Sequence, residues 1–253
     1  FDECQELVKM ALGDQTLIET VDLYPANSIS LGRLLPQAFY YIFAAVNLRS
    51  MGRPLFCVPS GNLGNLTAGI YASKWGLPVK GFIAATNRNE VLPHYLKSGK
   101  FLPHPSFSTL SSAMDVGNPS NFERILACSD NNYSTVRSSL KGYAIDDDET
   151  LRTMKEVYQN DGRLVDPHTA VGIAAIRQLR LSTKDKGGNP PSIVLATAAA
   201  GKFPDTVQRA TGVSPPIPSQ IQELLERPKL STPLEPYYRE LRAVILEHSS
   251  SST

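Results

Sequence analysis

The stretch Leu55-Phe56-Cys57-Val58-Pro59-Ser60-Gly61-Asn62-Leu63-Gly64-Asn65-Leu66-Thr67-Ala68-Gly69 decides the fold. It opens with an apolar run of strand length, Leu55 to Val58, closed by a proline. Two glycines and two asparagines follow. Apolar residues then return at helical spacing from Leu66 to Trp75, with Gly76 in the helix-ending position. A second β-rich run, Val79 to Ala85, comes next. Strand, loop, helix and strand within about thirty residues make a βαβ unit, the building block of a parallel sheet with crossover helices.

Working outward, Phe1 to Met10 reads as a helix with Leu7, Val8 and Ala11 on one face, and Ala26 to Ile29 as a short polar entry. Ser30 to Leu48 then reads as one long apolar helix containing Leu34, Ala38, Tyr41 and Ala45. Residues 90–139 are rich in Pro, Ser, Asn and Gly, which predicts irregular chain with short helices. Asp147 or Asp148 is placed to cap a helix running to Asn160, with acidic residues at its positive end. Asp166-Pro167 is a second start signal, opening a helix from His168 to Leu181. Lys184 to Pro191 reads as a loop, Ser192 to Thr197 as a final buried strand, and Phe203 to Ala210 as a short helix. The expected organisation is an α/β domain over residues 1–213 with an irregular insertion near 90–139. A helical extension over 214–248 and a disordered tail over 249–253 complete it.

With 253 residues, 42% of them hydrophobic, the chain is long enough for a large core that needs neither disulfide nor metal staples. A net charge of +1 argues against nucleic acid as the main partner. No stretch is long and apolar enough for a membrane span, so no membrane partner is expected. Cys4, Cys57 and Cys128 are widely spaced and odd in number; Cys57, in an apolar run, reads as a buried thiol of a reducing, cytoplasmic compartment. His94, His104 and His248 have no partners at metal-ligand spacing, and the acidic run Asp146 to Glu149 reads as a helix start, so no metal is expected.

The loop from Pro59 to Leu66 has the make-up of an anion holder. Gly61 and Gly64 let the backbone turn tightly and approach a ligand. The first N–H groups of the following helix are unpaired by geometry, and the helix dipole favours negative charge there. Asn62 and Asn65 add amide donors, and no basic residue is needed. The plain alternative is a tight turn whose asparagines satisfy their own backbone. Neither a dinucleotide fingerprint nor a Walker loop is present, which disfavours a nucleotide-binding domain.

Residues 59–69 resemble the loop that holds the cofactor phosphate in threonine synthases, members of the fold-type II pyridoxal-5′-phosphate (PLP) enzymes. Phe1-Asp2-Glu3-Cys4-Gln5, Asn27-Ser28-Ile29 with Arg33, Phe82 to Asn87, Ala113-Met114-Asp115-Val116-Gly117, Asp166-Pro167-His168 and Ala196-Thr197-Ala198 follow in that family's order. The resemblance implies an α/β, tryptophan-synthase-β-like large domain with flanking helices, incomplete at its N-terminal side. It also implies PLP as cofactor, a small phosphorylated amino acid as partner, and a monomer. Carried over by position, Gly61, Asn62, Leu63, Gly64 and Asn65 would hold the cofactor phosphate, and Thr197 the pyridine nitrogen. Asn27, Ser28, Arg33 and Asn62 would grip the substrate phosphate. Arg33 suits that role because its planar fork matches phosphate oxygens. Lys202, just past the last strand, reads either as a cation near a phosphate or as a solvated lysine. His168 opens a helix and reads as a packing or capping residue.

The family's Schiff-base lysine lies upstream of the glycine-asparagine loop in a Phe-Lys-Asp context, which does not occur here, so no catalytic residue is assigned in this chain. Lys9, Lys74 and Lys202 are not promoted to the role. The chain begins at Phe1 and reads as the C-terminal portion of a longer enzyme, inactive by itself. The activity implied for the intact protein is conversion of O-phospho-L-homoserine and water into L-threonine and phosphate. Two readings stay open beside it: a related phospho-lyase releasing a 2-keto acid, and a non-catalytic secreted or interacting protein in which the loop is a relic.

Overall fold

Along a strand, successive side chains point to opposite faces, and the central strands of the sheet show what that alternation builds. In the computed structural model, which describes residues 2–183 and 190–250, β1 (Leu55–Pro59), β2 (Gly81–Thr86), β3 (Leu140–Ala144) and β4 (Ser192–Val194) form a parallel sheet in the order β3-β2-β1-β4. Phe56 pairs with Phe82, and Cys57 with both Ile83 and Val194. Phe56, Val58, Phe82 and Ala84 therefore share one face, while Cys57, Ile83 and Ala85 share the other.

The helices sort themselves onto these faces. The chain opens with α1 (Asp2–Gly13) and α2 (Gln15–Thr20), followed by α3 (Leu31–Leu34) and α4 (Ala38–Asn47). Crossover helix α5 (Gly64–Lys74) joins β1 to β2, and α6 (Val91–Ser98), α7 (Phe122–Ala127) and α8 (Tyr133–Ser139) lie between β2 and β3. On the Phe56 face, Tyr41 of α4 sets its ring edge-on to Phe56 at 4.9 Å and to Phe82 at 6.1 Å. Its hydroxyl donates to the Asn65 carbonyl at 2.7 Å, so this fully buried tyrosine satisfies its one polar atom. Leu34, Leu66 and Leu92 complete that core; burying one such side chain stabilises by about 1.5–3 kcal/mol. The Cys57 face is covered by α10 (Pro167–Thr183), through Val171, Ala174 and Ala175. Outside α10 lie α9 (Asp147–Asp161) and α11 (Pro204–Thr211).

The chain closes with α12 (Ser219–Leu225) and α13 (Tyr238–Ser250). Asp14 joins the two ends of the molecule. One carboxylate oxygen caps α2 by accepting from Thr16 and Leu17 N–H; the other accepts from the Tyr238 hydroxyl at 2.5 Å and Arg242 Nε at 2.9 Å. Those contacts from Tyr238 and Arg242 hold the Asp14 carboxyl down at about 2.

Several expectations need correction. The helix expected over Ser30 to Leu48 is broken: α3 ends at Leu34, a 3₁₀ turn spans Leu35–Gln37, and α4 starts at Ala38. Pro36 supplies no N–H and crowds the preceding turn, which explains the break. β3 was not anticipated, because Leu140-Lys141-Gly142-Tyr143-Ala144 shows no apolar alternation. The strand expected over Ser192 to Thr197 is half-buried and stops at Val194, though the Leu195 N–H still donates to the Cys57 carbonyl. Asp146, not Asp147 or Asp148, caps α9 by accepting from Glu149 N–H at 2.8 Å. Asp166 caps α10 as expected, accepting from His168 and Thr169 N–H. Helix α13 runs through Ser250 into the expected tail, of which 251–253 lie outside the described residues, as do Lys184 to Asn189 of the expected loop and Phe1.

Candidate functional site

At the C-terminal end of β1 the chain turns into α5 through Ser60 to Leu63. Ser60 N–H donates to the Ala85 carbonyl, keeping the loop in register with β2 for one more residue. Leu63 adopts the left-handed conformation, φ 62°, which costs an ordinary residue roughly 1–2 kcal/mol. Its carbonyl accepts from both the N–H and the hydroxyl of Thr67, at 2.9 and 2.7 Å, and its side chain is buried. These contacts hold the strained residue in place.

The consequence lies in the backbone. Among the described residues, the N–H groups of Gly61, Asn62, Leu63, Gly64 and Asn65 have no protein acceptor. The residues that carry them line a cavity of about 250 Å³, together with Ser28, Ala113, Met114, His168 and Thr197. Five adjacent donors stand at the positive end of an eleven-residue helix, in a cavity whose lining holds no carboxylate among the described residues, surroundings that favour negative charge. Thr197 reaches the same lining because β4 pairs with β1, and both strands end at this rim. A larger cavity of about 670 Å³ lies against β3, lined by Lys97, Arg137 and Lys141 together with the carboxylate of Glu90.

The side chains of the loop do something other than expected. Asn65 turns inward: its amide donates to the Pro59 carbonyl at 2.8 Å, and its oxygen accepts from Ser60 Oγ and Leu66 N–H. Asn62 donates to Ser28 Oγ at 2.8 Å and accepts from the N–H and hydroxyl of Ser120. Both amides thus fix the loop, with backbone N–H groups left as the open donors. The glycines also serve packing: a Cβ on Gly61 would stand 2.7 Å from the Met114 backbone, and one on Gly64 2.8 Å from Ser28 Cβ. Their missing side chains admit neighbouring protein as well.

Of the other candidates, Ser28 lines the cavity, while Asn27 uses its oxygen to accept from Ile29 N–H. Arg33 on α3 and Lys202 are exposed and outside the lining. Lys9 and Lys74 are outside it too. His168, which the sequence reads as a packing or capping residue, also belongs to the cavity wall. It is buried, its Nε2 accepts from Ala113 N–H at 3.2 Å, and Nδ1 is 3.0 Å from Asp166 Oδ1. An Nε2 acceptor places the ring proton on Nδ1, facing the carboxylate. Burial works against charge on Asp166, yet hydrogen bonds from His168 and Thr169 hold its carboxyl below the usual range. Asn121 and Arg124 were also missed, since they lie in a segment read as irregular and carry no motif.

A family model for pyridoxal-phosphate-dependent enzymes matches residues 26–197, more than half of the chain. The chain belongs to that family. A second model, the C-terminal region of threonine synthase, matches residues 169–245. Threonine synthase of Haemophilus influenzae is 38% identical over 249 residues, covering 98% of this chain and 57% of the relative. Among solved structures, threonine synthase from Escherichia coli superposes with a TM-score of 0.89 at 36% identity, over 98% of this chain and 56% of that one. PLP-bound threonine synthase from Brucella melitensis gives 0.83 at 33% identity, over 98% and 57%. The chain therefore sits in the threonine synthase branch of the family and spans little more than half the length of the relatives it matches. The open donor row and the Thr197 hydroxyl fit the phosphate and ring nitrogen of pyridoxal phosphate.

Proposed function

We propose that this chain supplies the phosphate-holding part of a PLP-dependent threonine synthase, which converts O-phospho-L-homoserine and water into L-threonine and phosphate. The observation that carries the reading is the row of five unpartnered N–H groups, Gly61 to Asn65, in one lining with Thr197. In this reading those N–H groups hold the cofactor phosphate and the Thr197 hydroxyl meets the ring nitrogen. When bound, pyridoxal phosphate supplies an electron sink that eases proton loss at the substrate α and β carbons and phosphate departure from γ.

The remaining roles belong to side chains. Ser28 and Asn62 face the substrate phosphate, with Asn27 ordering their segment. Arg33 is exposed, and its guanidinium, which has no protein partner among the described residues, closes on that phosphate as a bidentate cation. Lys202 adds charge from the far rim. His168 keeps Ala113 and Met114 seated against Gly61. No lysine among the described residues lines the cavity; in this reading the chain alone binds cofactor without turning over, and the proton-moving lysine is supplied from elsewhere in the working enzyme, which we place in the cytoplasm.

Titrating the chain with pyridoxal phosphate tests this reading, using absorbance and the amide resonances of residues 61–65. Wild type should bind and shift those five amides. Thr197→Val removes only a hydroxyl and should weaken binding by about 1 kcal/mol with little change in melting. Shifts confined to other residues, or threonine formed by the chain alone, would overturn the assignment. In the whole enzyme, threonine rather than 2-oxobutanoate as product separates a synthase from a phospho-lyase.

A further inference from the structure

Ser28 sits 34 residues before Asn62 and 93 before Asn121, yet its hydroxyl oxygen accepts from both: Asn62 Nδ2 at 2.8 Å and Asn121 Nδ2 at 3.1 Å. A serine oxygen has two acceptor positions and one proton. With both acceptor positions filled, what remains is the O–H donor, which has no protein acceptor among the described residues, and Ser28 lines the cavity. The amides have made this hydroxyl a committed donor.

What fixes the amides is a cation. Arg124 Nη1 donates to the Ser28 carbonyl at 2.9 Å and to Asn121 Oδ1 at 2.6 Å, and Nη2 donates to the Ile29 carbonyl at 2.6 Å. Asn121 is fully buried and also donates to the Asn62 carbonyl at 3.0 Å. Its oxygen must face Arg124, which forces its NH₂ toward Ser28 and the loop. Arg124 is half-buried and has no carboxylate in ion-pair range among the described residues. Its charge is therefore not cancelled locally, and it stands directly behind the Ser28 peptide.

We infer that Arg124 and Asn121 are the positioning residues of a second anion subsite, whose contact group is the Ser28 hydroxyl. Arg124 sets the polarity of the relay Arg124–Asn121–Ser28, and its charge biases the Ser28 corner toward a phosphate distinct from the one on the Gly61 to Asn65 row. Neither residue lines the cavity, so both act through Ser28 and Asn62. This deepens the proposed function and rests on it, since the first row is taken to be occupied by the cofactor phosphate.

The experiment uses the isotope-labelled chain saturated with pyridoxal phosphate and titrated with inorganic phosphate, following the Ser28 amide and residues 61–65. Wild type should show a phosphate response centred on Ser28. Arg124→Gln and Asn121→Ala should each weaken that response about tenfold while pyridoxal phosphate affinity changes less than about twofold. Arg124→Lys keeps the charge but not the planar fork, and should recover part of the loss. Should the first two variants fold poorly, Ser28→Ala removes the donor alone and should abolish the phosphate response with cofactor binding intact. Unchanged phosphate affinity in the folded variants, or equal losses of both ligands, overturns the inference. A wild type whose residues 61–65 ignore pyridoxal phosphate overturns the cofactor reading and this one with it.

Discussion

Strands β1 and β2 lie side by side and both end in asparagine-rich turns, yet the two turns have opposite hydrogen-bond economies. After β2, Asn87 and Asn89 are buried, and their amides donate to Thr109, Ser111, Phe107 and Asp115. Asp115 also accepts from the N–H and hydroxyl of Thr109, and the Asn87 oxygen takes Asn89. That network ties the irregular segment before α7 to the sheet. After β1, Asn62 and Asn65 are likewise occupied, but the backbone around them keeps five N–H groups open. Asparagine content is thus a poor marker of a site. Unspent donors mark it, and they survive because a left-handed Leu63 and an incipient helix leave no acceptor within reach.

The largest effect should come from breaking the saturated turn. Asp115→Ala removes the shared acceptor of four hydrogen bonds, leaving the Thr109 N–H with none, and should destabilise the chain by about 3 kcal/mol, read by denaturant unfolding. A loss under about 1 kcal/mol would mean that the β2 turn is not the structural member of the pair. Gly64→Ala strikes the open turn instead, driving a Cβ to 2.8 Å from Ser28 Cβ. It should cost about 1–3 kcal/mol in stability and weaken pyridoxal phosphate about tenfold, whereas affinity in Asp115→Ala should fall less.

The smallest effect provides a reference away from both turns. Asp14 titrates near 3.8 in an unfolded chain and at about 2 when Tyr238 and Arg242 hold it. A folded value below the unfolded one means its contribution is complete above 3.8 and lost as pH falls through about 2. Exchange of α13 amides should accelerate over that window. Arg242→Gln should flatten the dependence, with residues 61–65 unaffected.

Local pattern was enough for some of this. Leu55 to Val58, the glycine-asparagine turn and the helix after it are each dictated by neighbours in the chain, and so is the Asp166-Pro167 helix start. β3 was not legible, because an edge strand containing Lys141 and Gly142 owes its form to pairing with Phe82 to Thr86. The break at Pro36 was legible in principle, but the apolar run around it masked the missing N–H. His168 carried a cap signal that hid its second contact, with Ala113, 55 residues away.

The amino-acid order by itself determined the βαβ core and the glycine-asparagine turn ahead of its helix, since period, turn chemistry and helix starts act over a few residues. Only the tertiary structure decided which donors stay open, and that Thr197, Ser28, Asn121 and Arg124 gather around them. Those neighbours meet through strand pairing and buried hydrogen bonds between distant segments, whose partners are chosen by packing rather than by spacing along the chain.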